Sequence, residues 1–403
     1  MARSNNFYIL ASLLVILSFV CLKAQAQDQD ITQHGGVADG KTDSAPALLA
    51  AFTAACASPT PSNIVIPKGD FFMSQVVLNG PCKSTIGINL QGNLIAPTNP
   101  ITPDPKSDWF NVRNLVGLNV FGGGSMNGQG KQAWDRKLKG ETLDLMAMFS
   151  MSFVTNGDIR DVTFTQSKNT HVHLYGCKNV TFTKVTIDSP DLSPNTDGIK
   201  MGVSSDISIL DSTLKSGDDC VAILSGTERL TVVNTNCGPG HGMSVGSMGG
   251  TPNEKDIVGV HITNCTFTGT MNGVRLKSWQ DKFVAAATDV KFEDIIMVNV
   301  GNPIIIDQEY CPAANCGGKA PSKVKISKVA FTNIRGSSST ENAVKLTCSQ
   351  LEPCKDVTIT DINLTFNGGK TISSCTNVQP ILSGVQNPQV CSAPVAPAPA
   401  PVV

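Results

Sequence analysis

Residues 179–188 read NVTFTKVTID, with apolar side chains at Val180, Phe182, Val185 and Ile187. Steps of two between apolar residues describe a strand with one face turned to a core. The longer step from Phe182 to Val185 adds one residue, which bends the chain between two short strands. The same pattern returns at Val260, Ile262, Cys265 and Phe267, and at Val290, Phe292, Ile295 and Met297. It returns again at Val324, Ile326, Val329 and Phe331, and at Val357, Ile359, Ile362 and Leu364. Weaker copies begin at Leu118, Gly157, Ile207 and Leu230. From Val180 onward the copies start 27, 23, 30, 30, 34 and 33 residues apart. One such unit cannot bury its apolar row alone, so the units must stack. The pattern predicts an all-β fold, a right-handed parallel β-helix. A β-sandwich would instead show hairpin turns between its strands, and the connections here are longer and irregular.

The ends fit a solenoid. Asp43 precedes SAPALLAAF, an N-cap candidate followed by good helix formers, which predicts a short helix over the N-terminal end of the stack. Residues 1–26 read as a secretory signal: Arg3, an apolar run from Phe7 to Leu22, and Ala24-Gln25-Ala26 as the cleavage site. The expected organisation is a signal peptide over 1–26, one β-helix domain over 27–391, and a Pro/Ala-rich tail over 392–403.

Thirteen cysteines, one of them Cys21 in the leader, agree with secretion. Spacing suggests Cys220–Cys237, Cys311–Cys316, Cys348–Cys354 and Cys375–Cys391, with Cys56–Cys82 as a fifth pair; the sequence leaves other connectivities open. Cys177 and Cys265 have no close partner, and Cys265 sits at a core position. Sequons begin at Asn179, Asn264 and Asn363. The formal charge of −1 is not that of a nucleic-acid binder. Nothing after the leader resembles a membrane span. An anionic ligand would have to be met by particular cations rather than by the field of the whole protein.

Measured from the start of the preceding strand pair, Asp197 comes 17 residues on, Asp218 and Asp219 come 11 and 12 on, and His241 comes 11 on. Arg275 and Lys277 come 15 and 17 after Val260. Similar phase on neighbouring coils, with strands about 4.8 Å apart, would gather these groups on one face. Crowded carboxylates cannot all ionise freely, so one becomes a proton donor while another stays a base. Glycoside hydrolysis needs such a pair. Arg275 and Lys277 alternate across one residue, so both face one side of a strand and suit an anionic sugar. Taken singly, each feature also has a plainer reading. Asp197-Gly198 is a turn dipeptide, Asp218-Asp219 could hold Ca²⁺, and His241 between two glycines could be a loop residue. His171 and His173 alternate like a metal pair but lack a third ligand, and are read as structural.

At these residues the sequence resembles the polygalacturonases, the pectin-hydrolysing glycoside hydrolase family 28. The signatures are Ser193-Pro-Asn-Thr-Asp-Gly198, Gly217-Asp-Asp-Cys220, Gly240-His-Gly242 and Arg275-Leu-Lys277. The last departs from the usual Arg-Ile-Lys by one conservative exchange. The family's further tyrosine matches Tyr310 in DQEYC at 307–311, and the GGVADGKTD opening at 35–43 extends the likeness. The resemblance implies hydrolysis of α-1,4-galacturonosyl bonds with inversion, without a metal or other cofactor, by a monomer acting on pectin in the plant cell wall. It implies Asp218 as general acid, Asp197 and Asp219 as water-activating carboxylates, and His241 as support for the acid. Asn195, Arg275, Lys277 and Tyr310 would contact substrate. Gly217 before the aspartate pair is similar to plant pollen-type exopolygalacturonases, which implies exo attack. Endo attack, a Ca²⁺-dependent β-helical lyase with Arg275 as base, and a non-catalytic pectin-binding wall protein are the alternatives.

Overall fold

The computed structural model describes residues 28–99, 108–312, 316 and 320–391. The expected signal peptide and Pro/Ala-rich tail lie outside the described residues. Each turn of the chain adds one strand to an 11-stranded parallel sheet and, in most turns, two short strands to a second, almost wholly parallel sheet. Val172–Tyr175 followed by Lys178–Thr183 and Thr186–Asp188 is one such coil. The fold is a right-handed parallel β-helix.

The extra residue of each repeat is a left-handed one. Lys184, Asp211, Asn234, Asn264, Asp294 and Asp361 occupy the bend with φ between 51° and 55°. Most are Asn or Asp, whose short polar side chains tolerate this backbone. A second left-handed position opens each strand pair five residues earlier, as at Asn179, Asp206 and Asp356. Between bends, the apolar side chains point into one continuous core. Val180, Phe182, Val185 and Ile187 are fully buried, and each coil stacks on like residues of the next, as in Val180↔Ile207↔Leu230↔Val260.

One copy of the repeat is out of phase with its neighbours. Val290 pairs with Val329 and Phe292 with Phe331, so the copy that matches begins at Val329 rather than Val324. Lys328 and Asn333 both take left-handed φ. Because the two bends lie five residues apart, the apolar pattern reads the same from either. Stacking of Phe292 on Phe331, with ring centres 5.3 Å apart, marks the register.

The N-terminal helix, Ala45–Ala57, buries Leu48, Ala51, Phe52 and Ala55 against the first coil. Asp43 Oδ1 accepts from the backbone N–H of Ala45 and of Ser74, both at 3.0 Å, tying the helix start to that coil. All five expected disulfides are present, and Cys177 and Cys265 are free and buried. The bridges are those of an extracellular protein. Among the described residues no helix is long and apolar enough to cross a membrane. The three sequon asparagines are exposed.

Candidate active site

The site lies on the outward face of the 11-stranded sheet. One register row runs across it: His173, Lys200, Ala222, Ser244 and Arg275. Asp197, Asp219 and His241 each stand three residues ahead of this row, in the turn that enters their strand. The expected common phase therefore holds for the carboxylates and the imidazole. Arg275 and Lys277 differ: they project from within the strand Asn272–Trp279, while Val274 and Leu276 point into the core. Turns of unequal length made the counts look alike.

Coil-to-coil approach at these turns is close. A Cβ on Gly217 would lie 2.0 Å from the Ser193 carbonyl oxygen, so only glycine lets the Asp218–Asp219 turn nest against the turn that carries Asn195 and Asp197. Gly217 N–H donates to Thr196 Oγ1 at 2.9 Å, fixing the two turns together. Cys220, bonded to Cys237, anchors the turn from its other side.

Within this frame the three carboxyl groups have different surroundings. Asp219 is buried and is held on both oxygens. Ser244 Oγ donates to Oδ1 at 2.7 Å, Arg275 Nη2 to Oδ1 at 2.7 Å, and Lys277 Nζ to Oδ2 at 2.8 Å. Asp197 is buried too; its Oδ2 receives Lys200 Nζ at 3.1 Å and Thr170 Oγ1 at 3.2 Å. Burial pushes the Asp197 carboxyl up to about 6, against the pull of Lys200 and with repulsion from Asp218 and Asp219 adding to it. Asp218 is the more open. Its burial also pushes upward, but the His241 hydrogen bond, the His241 charge and Lys277 outweigh it and hold the carboxyl well below the usual range. His241 Nδ1 lies 3.0 Å from Asp218 Oδ1, and this bond raises the imidazole above its ordinary value against the effect of burial. The proton of this pair therefore rests on His241, while Asp197 takes a proton more readily than Asp218 does.

Asn195 Nδ2 donates to Asp218 Oδ2 at 3.3 Å. The Tyr310 ring centre lies 5.1 Å from Lys277 Nζ and 5.9 Å from Arg275 Cζ. All eight residues expected at the site are thus gathered there. His171 belongs to its foundation: it is fully buried, burial lowers it to about 4, and it bonds the Asp197 carbonyl oxygen and Ser189 Oγ.

Four participants escaped the sequence reading. Lys200 and Ser244 are ordinary residues whose register alone brings them to Asp197 and Asp219; counting three residues on from each turn would have found both. Lys137 comes from the Lys131–Leu138 helix, pinned by Trp134 Nε1 to the Ser167 carbonyl oxygen at 2.9 Å, and reaches Asn195 Oδ1. Asp307 pairs in register with Lys277, one strand further on.

Asp218, Asp219 and His241 are close enough to share a metal ion. The donor set does not fit one well: Asp219 already meets two cations that an ion would have to displace.

The sequence profile of the glycosyl hydrolases family 28 matches residues 56–391. A polygalacturonase of Nicotiana tabacum is 46% identical over 91% of this chain and 92% of its own length. An exopolygalacturonase of Oenothera organensis is 45% identical over 88% of this chain and 99% of its own. In fold, the endo-xylogalacturonan hydrolase of Aspergillus tubingensis superimposes with a TM-score of 0.78 at 22% identity, over 89% of this chain and 99% of that one. With that profile spanning the groove and most of the stack, and relatives of this similarity along nearly their whole length, the chain belongs to glycosyl hydrolase family 28.

Proposed function

We propose that this protein hydrolyses α-1,4-galacturonosyl bonds of de-esterified pectin, exo-wise and with inversion, as a secreted monomer of the plant cell wall. The observation that carries the reading is the clamp of Arg275 and Lys277 on Asp219, beside two carboxyls whose proton affinities are driven apart. Cations of that kind admit a uronate; the split gives Asp197 the higher proton affinity, so an acid role for Asp218 depends on the proton held by His241. The exo mode is supported by the Oenothera relative.

Asp218 serves as the acid, and its proton is delivered by His241. A substrate carboxylate arriving at Arg275 and Lys277 draws off part of the positive field that holds Asp218 low. The sugar covering the site strips water from it as well. Both changes raise the proton affinity of Asp218, and the proton on His241 Nδ1 crosses the existing hydrogen bond to Asp218 Oδ1, whose heavy atoms are 3.0 Å apart. Asp218 then protonates the departing glycosidic oxygen while Asp197 and Asp219 orient the water. Chromatography of early products from pectate should show galacturonic acid alone, and NMR should show its first-formed anomer inverted. An oligomer ladder would overturn exo attack, and a retained anomer would overturn the assignment of roles.

The pH profile of kcat/KM follows from the same geometry. Its acid limb should fall near 6, where Asp197 takes a proton. Its alkaline limb should lie above 6.5, because the pair with Asp218 raises His241 from that value. His241→Gln should move the alkaline limb downward and leave the acid limb in place. A profile whose alkaline limb does not respond would exclude the pair as the proton source.

A further inference from the structure

Beyond the carboxylates the groove continues toward the exit ends of the strands. A cleft of about 790 Å³ opens there, with Tyr175 and His173 on one wall, Lys200 on its floor, and Trp279 with Lys282 opposite. Lys200 also contacts Asp197, so this cleft adjoins the reacting centre. From the Lys200 row to the Tyr175–Gly202 row is two residues along a strand, about 6.6 Å, the scale of one sugar residue.

The wall at Tyr175 is built at some cost. Asn114, Phe153, Gly176, Val203 and Gly226 occupy the same turn position on successive coils, all with left-handed φ from 53° to 78°. Asn and Gly take this backbone easily, whereas a bulky residue there costs about 1–2 kcal/mol. Phe153 and Val203 are nevertheless placed there, and Phe153 is 55% exposed, so packing in the core does not explain it. Its ring lies over Gly176, where a Cβ would approach Phe153 Cδ1 to 2.6 Å. It meets the Tyr175 ring edge-on, with centres 5.7 Å apart and planes at 85°. Tyr175 is itself 46% exposed. Across the cleft, Lys282 Nζ sits 4.2 Å from the Trp279 ring centre, a cation held ready at the rim.

We propose that Tyr175, buttressed by Phe153, is the stacking platform of a distal subsite that holds a further uronic acid residue of the bound chain. Lys200, on the strand next to that of Tyr175, faces its carboxylate, and Lys282 stands at the far rim. This rests on the hydrolysis of galacturonans proposed above. An aromatic face meets the C–H groups of a pyranose, and the lysines select the acidic sugar over a neutral one.

Galacturonic acid oligomers from dimer to hexamer provide the test. For the wild type, kcat/KM should rise with length. In Tyr175→Ala the hexamer-to-dimer ratio of kcat/KM should fall about tenfold, about 1.4 kcal/mol of binding, and Tyr175→Phe should keep the ratio. Phe153→Asn suits the left-handed turn, so it should raise Tm while lowering the ratio, which a purely structural residue would not do. Calorimetric titration of the hexamer into Asp218→Asn, with and without Tyr175→Ala, reads the subsite without turnover. Weaker binding in the double variant supports the platform even if no oligomer is hydrolysed, in which case the hydrolytic reading alone fails. Equal hexamer binding by the two variants, no binding by either, or an unchanged length ratio overturns the subsite.

Discussion

Asp218→Asn should lower kcat by about a hundredfold or more, a loss of about 2.7 kcal/mol of transition-state stabilisation, with KM little changed. The amide keeps the size of the side chain and its place beside Asn195 and His241, so the groove is preserved. What it loses is the ability to accept the His241 proton and pass it on. Steady-state kinetics on pectate reads this directly. A variant within threefold of the wild type in kcat would show that the leaving oxygen takes its proton elsewhere, and Asp197 would then be the group to test, since burial raises its proton affinity above that of Asp218.

Lys277→Ala should lower kcat/KM by about a hundredfold through both of its components. Sequence alone assigns Lys277 to the substrate. The structure adds that Lys277 Nζ is already spent on Asp219, at 2.8 Å, with side-chain exposures of 8% and 3%. The incoming carboxylate must share it. Removing Lys277 therefore takes away an anion contact and also leaves Asp219 Oδ2 buried without a partner, at a cost of about 1–3 kcal/mol. KM should rise, kcat should fall, and Tm should drop. Adding Asp219→Asn should recover part of the lost Tm and none of the activity. An unchanged KM on pectate would remove Lys277 from substrate binding, and an unchanged Tm would mean that Asp219 finds another partner.

The architecture was largely legible because the β-helix repeats its own grammar. An alternating row, a left-handed bend and a second row identify a coil even when its length varies. The one slip, at Val324, shows the limit of that grammar. Two bends five residues apart give the same apolar pattern, and only cross-coil packing of Phe292 on Phe331 chooses between them. The site was legible where turn residues announce it, at Asp197, Asp218, Asp219 and His241. It was hidden where a plain strand or helix residue acquires meaning from a neighbour far along the chain. Lys200, Ser244 and Lys137 are of this kind. So is the clamp on Asp219, since Arg275 and Lys277 sit 56 and 58 residues from it in sequence.

A stack whose units touch only their neighbours unravels from its ends. The last strands, Ile372–Thr376 and Ile381–Asn387, already stand largely exposed, with Ile372, Ile381 and Val385 half in solvent or more. The reacting groups occupy middle coils, flanked on both sides by buried rungs and fastened by the Cys220–Cys237 bridge. Fraying that gets past the Cys56–Cys82 and Cys375–Cys391 bridges therefore consumes the margins first and reaches the groove last. Catalytic competence and intactness of the whole fold become separable quantities, with the terminal rungs acting as a sacrificial sheath for a chain that must work where no chaperone attends it.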